Sequence, residues 1–239
     1  MKILPLVFLV GLLAACTGPA AQPPSPSKPS SVASDGGPAC APEIGESGFS
    51  QDDSGSINYG FVVVSHCTQV AINTRVTVTA LGTDGKPLPG YTQDLLYVPV
   101  LLPGQQVALG GSGWAKNRPT RIGLSVEGTQ NVPVTAFAGW PTVTFTDLSH
   151  SQPDRTGYTK VSATMVTDPE RVQPCNPVYY LVVRDHTGRI IFGAKSLKGA
   201  PQFDEKVPAA VDWSKTGISA TLGAGQLGLT DLARTKCQK

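Results

Sequence analysis

The sequence predicts an all-β protein: two tandem antiparallel β-sandwich units behind a signal peptide and a disordered linker. Three observations carry that reading. Apolar side chains recur at every second position in several stretches, the spacing that sends alternate residues to opposite faces of a strand. Gly (26) and Pro (21) are abundant among Val- and Thr-rich runs, which favours short strands and turns over long helices. Turn and strand signals of the first half return in the second at a constant offset, the mark of an internal repeat.

The chain opens with Lys2, an apolar run over residues 3–13, and the small residues Ala14 and Ala15. That order makes a secretory signal peptide, too short to cross a bilayer. Leu13-Ala14-Ala15-Cys16 resembles the lipobox of bacterial lipoproteins, in which a Leu three positions before a Cys, and small residues directly before it, mark cleavage and lipidation. The resemblance implies that residues 1–15 are removed and that Cys16 carries the lipid. It places the mature protein on the extracytoplasmic face of the cell membrane. Bacterial lipoproteins carry at least two acyl chains, and each buried CH₂ contributes about 0.8 kcal/mol, so the attachment is expected to be stable.

Residues 16–39 form the expected linker. Prolines at 19, 23, 24, 26, 29 and 38 stand among Ser, Ala and Gly, with too few apolar residues to bury a core. A Pro-rich spacer rises about 3.1 Å per residue and would hold the folded part several tens of ångströms from the bilayer.

The first unit is expected over residues 40–139. Ile57, Tyr59, Phe61 and Val63 alternate as a strand, and Cys67 continues their parity. Val70, Ile72, Val76, Val78 and Ala80 are expected on one face of the next strand, with Asn73, Arg75, Thr77 and Thr79 on the other. Asp84-Gly85 supplies a turn. A strand follows over residues 93–100, then a turn at Leu102-Pro103-Gly104-Gln105, a return over 106–109, and a last alternation at Ile122, Leu124 and Val126.

The second unit is expected over residues 140–239. Val143 and Phe145 alternate, then Val161, Ala163 and Met165. Residues 177–184 are apolar on both faces, as in a central strand. Residues 185–189 turn the chain, 190–193 go back, and Ile218, Ala220 and Leu222 close the unit. Asp84-Gly85-Lys86 before Gly90 matches Thr187-Gly188-Arg189 before Gly193, and Asn73 and Asn176 fall in the same register. At about 80–100 residues, each unit is the size of an immunoglobulin-like sandwich.

Residues 57–222 resemble the tandem FxLYD-type β-sandwich modules of bacterial surface lipoproteins. The parts that carry the resemblance are Phe61 to Val64, the polar turn 65–69, the Val-rich strand 76–80, Asp84-Gly85 and Pro103-Gly104. The chain has Thr79-Ala80-Leu81-Gly82-Thr83-Asp84 where the naming motif would stand, and Cys67 in a turn where the pattern more often has Asn. The resemblance implies the fold and a non-catalytic role, and it brings no site residue.

Beyond Cys16, four cysteines remain: Cys40, Cys67, Cys175 and Cys237. In an exported chain they suggest two disulfides, and four cysteines permit three pairings. Cys40–Cys67 and Cys175–Cys237 are the expected pairs, one per unit, tying the linker exit to the first sheet and the chain end to the last. The chain has no Cys-x-x-Cys and no Cys/His cluster with structural-zinc spacing, so no metal or cofactor is expected.

Composition excludes other classes. Net charge is +2 with 15% of residues charged and no basic block, so no nucleic-acid partner is expected. His66, His150 and His186 read as exposed turn residues. Ser125 misses the spacing of a nucleophile elbow. Gly110-Gly111-Ser112-Gly113 lacks the Lys of a phosphate loop and reads as a flexible turn. Asp52-Asp53-Ser54-Gly55-Ser56 lacks the distal Glu of a calcium loop and reads as a solvated turn. The acids Asp94, Asp147 and Asp204 have no sequence context.

Trp114 and Trp213, each shortly before a matching late strand, read first as caps on the sandwich cores and second as an exposed platform for sugar rings or a protein partner. The expected function is that of a lipid-anchored, non-catalytic protein that binds or assembles with other envelope proteins. A glycan or cell-wall binding module using the tryptophans is the alternative. An envelope hydrolase has no positive support and would need a deep pocket with two carboxylates or a His–Ser pair.

Overall fold

The computed structural model of the chain describes residues 40–138, 140, 142–168, 177–197 and 200–221. Over these residues the protein is all-β and its strands pair antiparallel. The first half contributes Glu43–Gln51 (β1), Ser56–Val64 (β2), Val70–Leu81 (β3), Asp94–Leu101 (β4), Gln106–Trp114 (β5), Arg121–Glu127 (β6) and the short Gln130–Val132 (β7). The second contributes Thr142–His150 (β8), Thr159–Asp168 (β9), Val178–Arg184 (β10), Ile190–Ser196 (β11), Gln202–Glu205 (β12) and Gly217–Thr221 (β13).

The repeat is visible in the pairing. The first half forms sheets β1-β2-β5 and β4-β3-β6, with β7 added beside β3; the second forms β8-β9-β12 and β11-β10-β13. Each half therefore runs through the same strand order. In the first half, Tyr59, Phe61, Val63, Val107 and Leu109 of one sheet meet Val76, Val78, Leu96 and Val98 of the other. In the second, Tyr179, Leu181, Val183 and Phe192 meet Val161 and Phe203. Burying each such side chain contributes about 1.5–3 kcal/mol.

The halves also share apolar contacts. Val178 and Tyr180 of β10 complete the first core, and Val182 and Ile190 pack on Val62. Sheet β11-β10-β13 is thus covered on both faces, which accounts for the unbroken burial of residues 178–183. Its outer partner is β1-β2-β5, so the contact joins non-equivalent sheets of the two repeats.

This contact depends on glycine. β11 crosses β1, β2 and β5 in turn: Ile190 lies on Gly48 and Gly60, Gly193 on Tyr59 and Gly60, and Ala194 on Gly110. A β-carbon on Gly110 would stand 2.7 Å from the Ala194 nitrogen, and one on Gly48 would overlap the Ile190 carbonyl. Ordinary sheets pack about 10 Å apart through interdigitated side chains; here backbone rests on backbone. Arg184 of β10 reaches across to Glu46 of β1 as a two-pronged ion pair, with Nη1 donating to Oε2 at 2.6 Å.

Three sequence expectations are corrected here. Residues 110–113 are no turn; they lie inside β5, paired with β2 from Ser56↔Trp114 to Val64↔Gln106. Val70 and Ile72 do not share a face with Val76 and Val78, because Asn73 has φ 56° and Pro99 on β4 has no N–H for the ladder at this level. The inward parity switches there, so Ala71 and Leu101 join the main core while Val70 and Ile72 pack on Val132 and Phe137. His150 is the last residue of a strand and not a turn residue.

Candidate functional site

Cys40 and Cys67 are disulfide-bonded, with Cα atoms 5.6 Å apart. Cys67 is buried, and the Cys40 carbonyl accepts a 2.9 Å hydrogen bond from Asn131 Nδ2, which seats the start of the described chain against β7. Leu13, Ala14, Ala15 and Cys16 lie outside the described residues, as do Cys175 and Cys237.

The two tryptophans singled out in the sequence have different surroundings. Trp114 ends β5 with 53% of its surface exposed. Its indole N–H donates to the Ser54 carbonyl at 2.9 Å, which holds the ring against the β1–β2 turn. Trp213 is half-buried at the edge of the second core and stacks face to face on His150, ring centres 4.1 Å apart and planes within 8°. Trp140 packs edge-on against Phe137.

Asp52 is committed to its turn. Oδ1 accepts from the Ser54 hydroxyl at 2.6 Å and from the backbone N–H groups of Ser54 and Ser56 at 2.9 Å. Asp154 and Asp185 repeat the arrangement with Thr156 and Thr187, each followed by a glycine at positive φ. The Ser or Thr hydroxyl, foremost, holds each of these carboxyls below the usual range. A carboxylate so occupied closes a hairpin.

Ser125 sits on β6 opposite Thr77, within a solvated sheet face. Asp147 has φ 53° at an irregularity of β8, and Asp204 is exposed on β12. His66 and His186 are exposed in their loops. Among the described residues, no group of three or more His, Cys, Asp and Glu is placed to hold a metal. An open groove of about 350 Å³ between β8, β13 and the start of β5 has no charged or histidine residue among those that line it.

Asp94 is the exception among the acids, and nothing in the local sequence marked it. It lines a cleft of about 110 Å³ with Asn58, Ser112, Lys195 and Glu205, over the backbone of Ala194. Asn58 and Ser112 are cross-strand neighbours on β2 and β5; Lys195 and Glu205 come from β11 and β12 of the other half. The fully buried Tyr59 donates its phenol to Asp94 Oδ2, and the Leu95 N–H donates to Oδ1 at 2.9 Å. Burial, together with the Asp94 carboxylate, drives the Tyr59 phenol far above its usual value and that of Tyr91 up to about 12.

The glycines of β5 make room for this cluster. A β-carbon on Gly111 would overlap the Tyr59 hydroxyl and stand 3.1 Å from Asp94 Oδ2; one on Gly113 would be 2.7 Å from the Tyr91 ring. The cleft brings two carboxylates together, but it is small where ligand pockets run to about 300–1,000 Å³. Compared with known proteins, the chain matches no family model and no curated protein.

Proposed function

We propose that this is a lipid-anchored protein of the extracytoplasmic membrane face that acts without catalysis, as an interaction or assembly module of the cell envelope. The observation that carries the reading is Leu13-Ala14-Ala15-Cys16 directly after a positive residue and a short apolar run. The Cys40–Cys67 disulfide supports it, since such bonds persist in oxidising compartments outside the cytoplasm. The adhesive surface would belong to a pair of sandwich repeats carried beyond a Pro-rich spacer.

The test has two arms. Mass spectrometry of the mature protein should find an acylated Cys16 as first residue, and Cys16→Ser should release the protein from the membrane. Crosslinking on intact cells followed by purification should enrich the same envelope protein with the wild type and lose it with Cys16→Ser. An unmodified mature N-terminus, or no reproducible partner, would overturn the reading.

A glycan-binding role is the second reading, and Trp114 is the observation that favours it: the ring is half-exposed and fixed by its Ser54 hydrogen bond. Pelleting with cell-wall material should weaken with Trp114→Ala and persist with Trp140→Ala.

A further inference from the structure

We propose that the cleft around Asp94 binds an unbranched aliphatic ammonium group, such as the side-chain amine of a lysine-like residue in a peptide. The inference is independent of the anchor and of Trp114. It rests on a carboxylate that is oriented, incompletely used and set in a polar recess.

Orientation comes from below. Tyr59 is fully buried, and its phenol holds one Asp94 oxygen while the Leu95 N–H holds the other. A carboxylate offers about four lone-pair sites, so two remain for a ligand. Room comes from Gly111, whose missing β-carbon is the space that the Tyr59–Asp94 pair occupies. The shielded Tyr91 hydroxyl, beside Gly113, has no hydrogen-bond partner among the described residues.

Ligand class follows from the lining. The side-chain amide of Asn58 and the hydroxyl of Ser112 also line the cleft and offer two further acceptors, so an R–NH₃⁺ group finds acceptors for its three N–H bonds. The negative charge that meets the ammonium is that of Asp94, whose two oxygens are held in place by Tyr59 and Leu95. The volume of about 110 Å³ holds several waters or the end of a chain. It suits the tip of a larger molecule. Lys195 on the rim disfavours a bare divalent ion, which would want more anionic oxygens.

The full-length mature chain, ¹⁵N-labelled, is titrated with n-butylammonium, tetramethylammonium, glucosamine and calcium, each as chloride. The expected result is saturable shifts at the amides of Asn58, Leu95 and Ser112 with butylammonium in the millimolar range, and at least tenfold weaker response to tetramethylammonium, which has no N–H. Asp94→Asn should weaken butylammonium at least tenfold, and the exposed Ser112→Ala about threefold with an unchanged melting temperature. Asp53→Asn should leave it unaltered. If Asp94→Asn fails to fold, the Ser112→Ala arm decides. No saturable shift, equal response to tetramethylammonium, tighter binding of glucosamine or calcium, or indifference to Ser112→Ala would each overturn the proposal.

Discussion

Gly193 of β11 lies on the carbonyl of Tyr59 in β2 so closely that a β-carbon there would overlap the oxygen. The contact joins the two repeats, and it also fixes Tyr59 from behind while its phenol engages Asp94. One residue pair thus links the packing of the halves to the geometry of the polar cleft.

Gly193→Ala and Gly48→Ala are therefore expected to be among the most damaging small substitutions in the chain. Neither position offers a flexible side chain that could yield, because the obstacles are backbone carbonyls. Overpacking costs about 1–3 kcal/mol and more where nothing relaxes. Gly217→Ala, with nothing within 4 Å and ordinary φ, should stay within about 0.5 kcal/mol. Urea denaturation of the three variants measures this.

The Cys40–Cys67 bond closes a sequence separation of 27 residues. In the chain-entropy account it stabilises by about 3.5 kcal/mol. Chemical denaturation under non-reducing conditions should show a loss of that order in the Cys40→Ser/Cys67→Ser double variant relative to the wild type.

Acid should loosen the hairpins. Asp185 is buried in its turn, held below the usual carboxylate range first by the Thr187 hydroxyl and then by the Arg189 N–H and guanidinium. A carboxyl with a lowered folded-state pKa stabilises above its unfolded value, near 3.9, and that contribution is lost as pH falls through the folded value. The stability gap between wild type and Asp185→Asn should be constant from neutral pH down to about 5 and shrink below about 4. A gap that does not shrink would show that the charge is not what stabilises the turn.

Alkali acts in the opposite sense. The Tyr91 phenol is raised to about 12, so its neutral form favours the fold at every pH below the ordinary value near 10. That contribution declines between about pH 10 and 12. Tyr91→Phe should flatten the fall in melting temperature over this window.

Glu46→Gln should cost little. Arg184 and Glu46 pair in good geometry, but Glu46 is 42% exposed, so solvent screens the attraction to about 1 kcal/mol or less. A double-mutant cycle with Arg184→Met reads it directly; a coupling of several kcal/mol would mean the pair locks the halves together.

The local pattern was legible where its cause is local. Val76, Val78 and Ala80 alternate because one face of β3 avoids water. Asp84-Gly85 and Pro103-Gly104 turn the chain because glycine accepts φ near 72–74° there. The both-faced apolar run of β10 announced a strand covered twice. Asn73 misled because a single positive φ moves every later side chain to the other face, and no periodicity signals it.

By itself the sequence determined the strand class, the internal repeat and the Asp-Gly and Pro-Gly turns, since each depends on residues near one another or on hydrophobic alternation, while it left three cysteine pairings open until the structure joined Cys40 to Cys67. Only the tertiary structure decided which sheets meet, why β5 is rich in glycine, and that Asp94 shares a cleft with Lys195 and Glu205. Alternation records which side chains leave water without recording what they meet. A missing β-carbon acquires meaning only when a distant strand comes to rest on it.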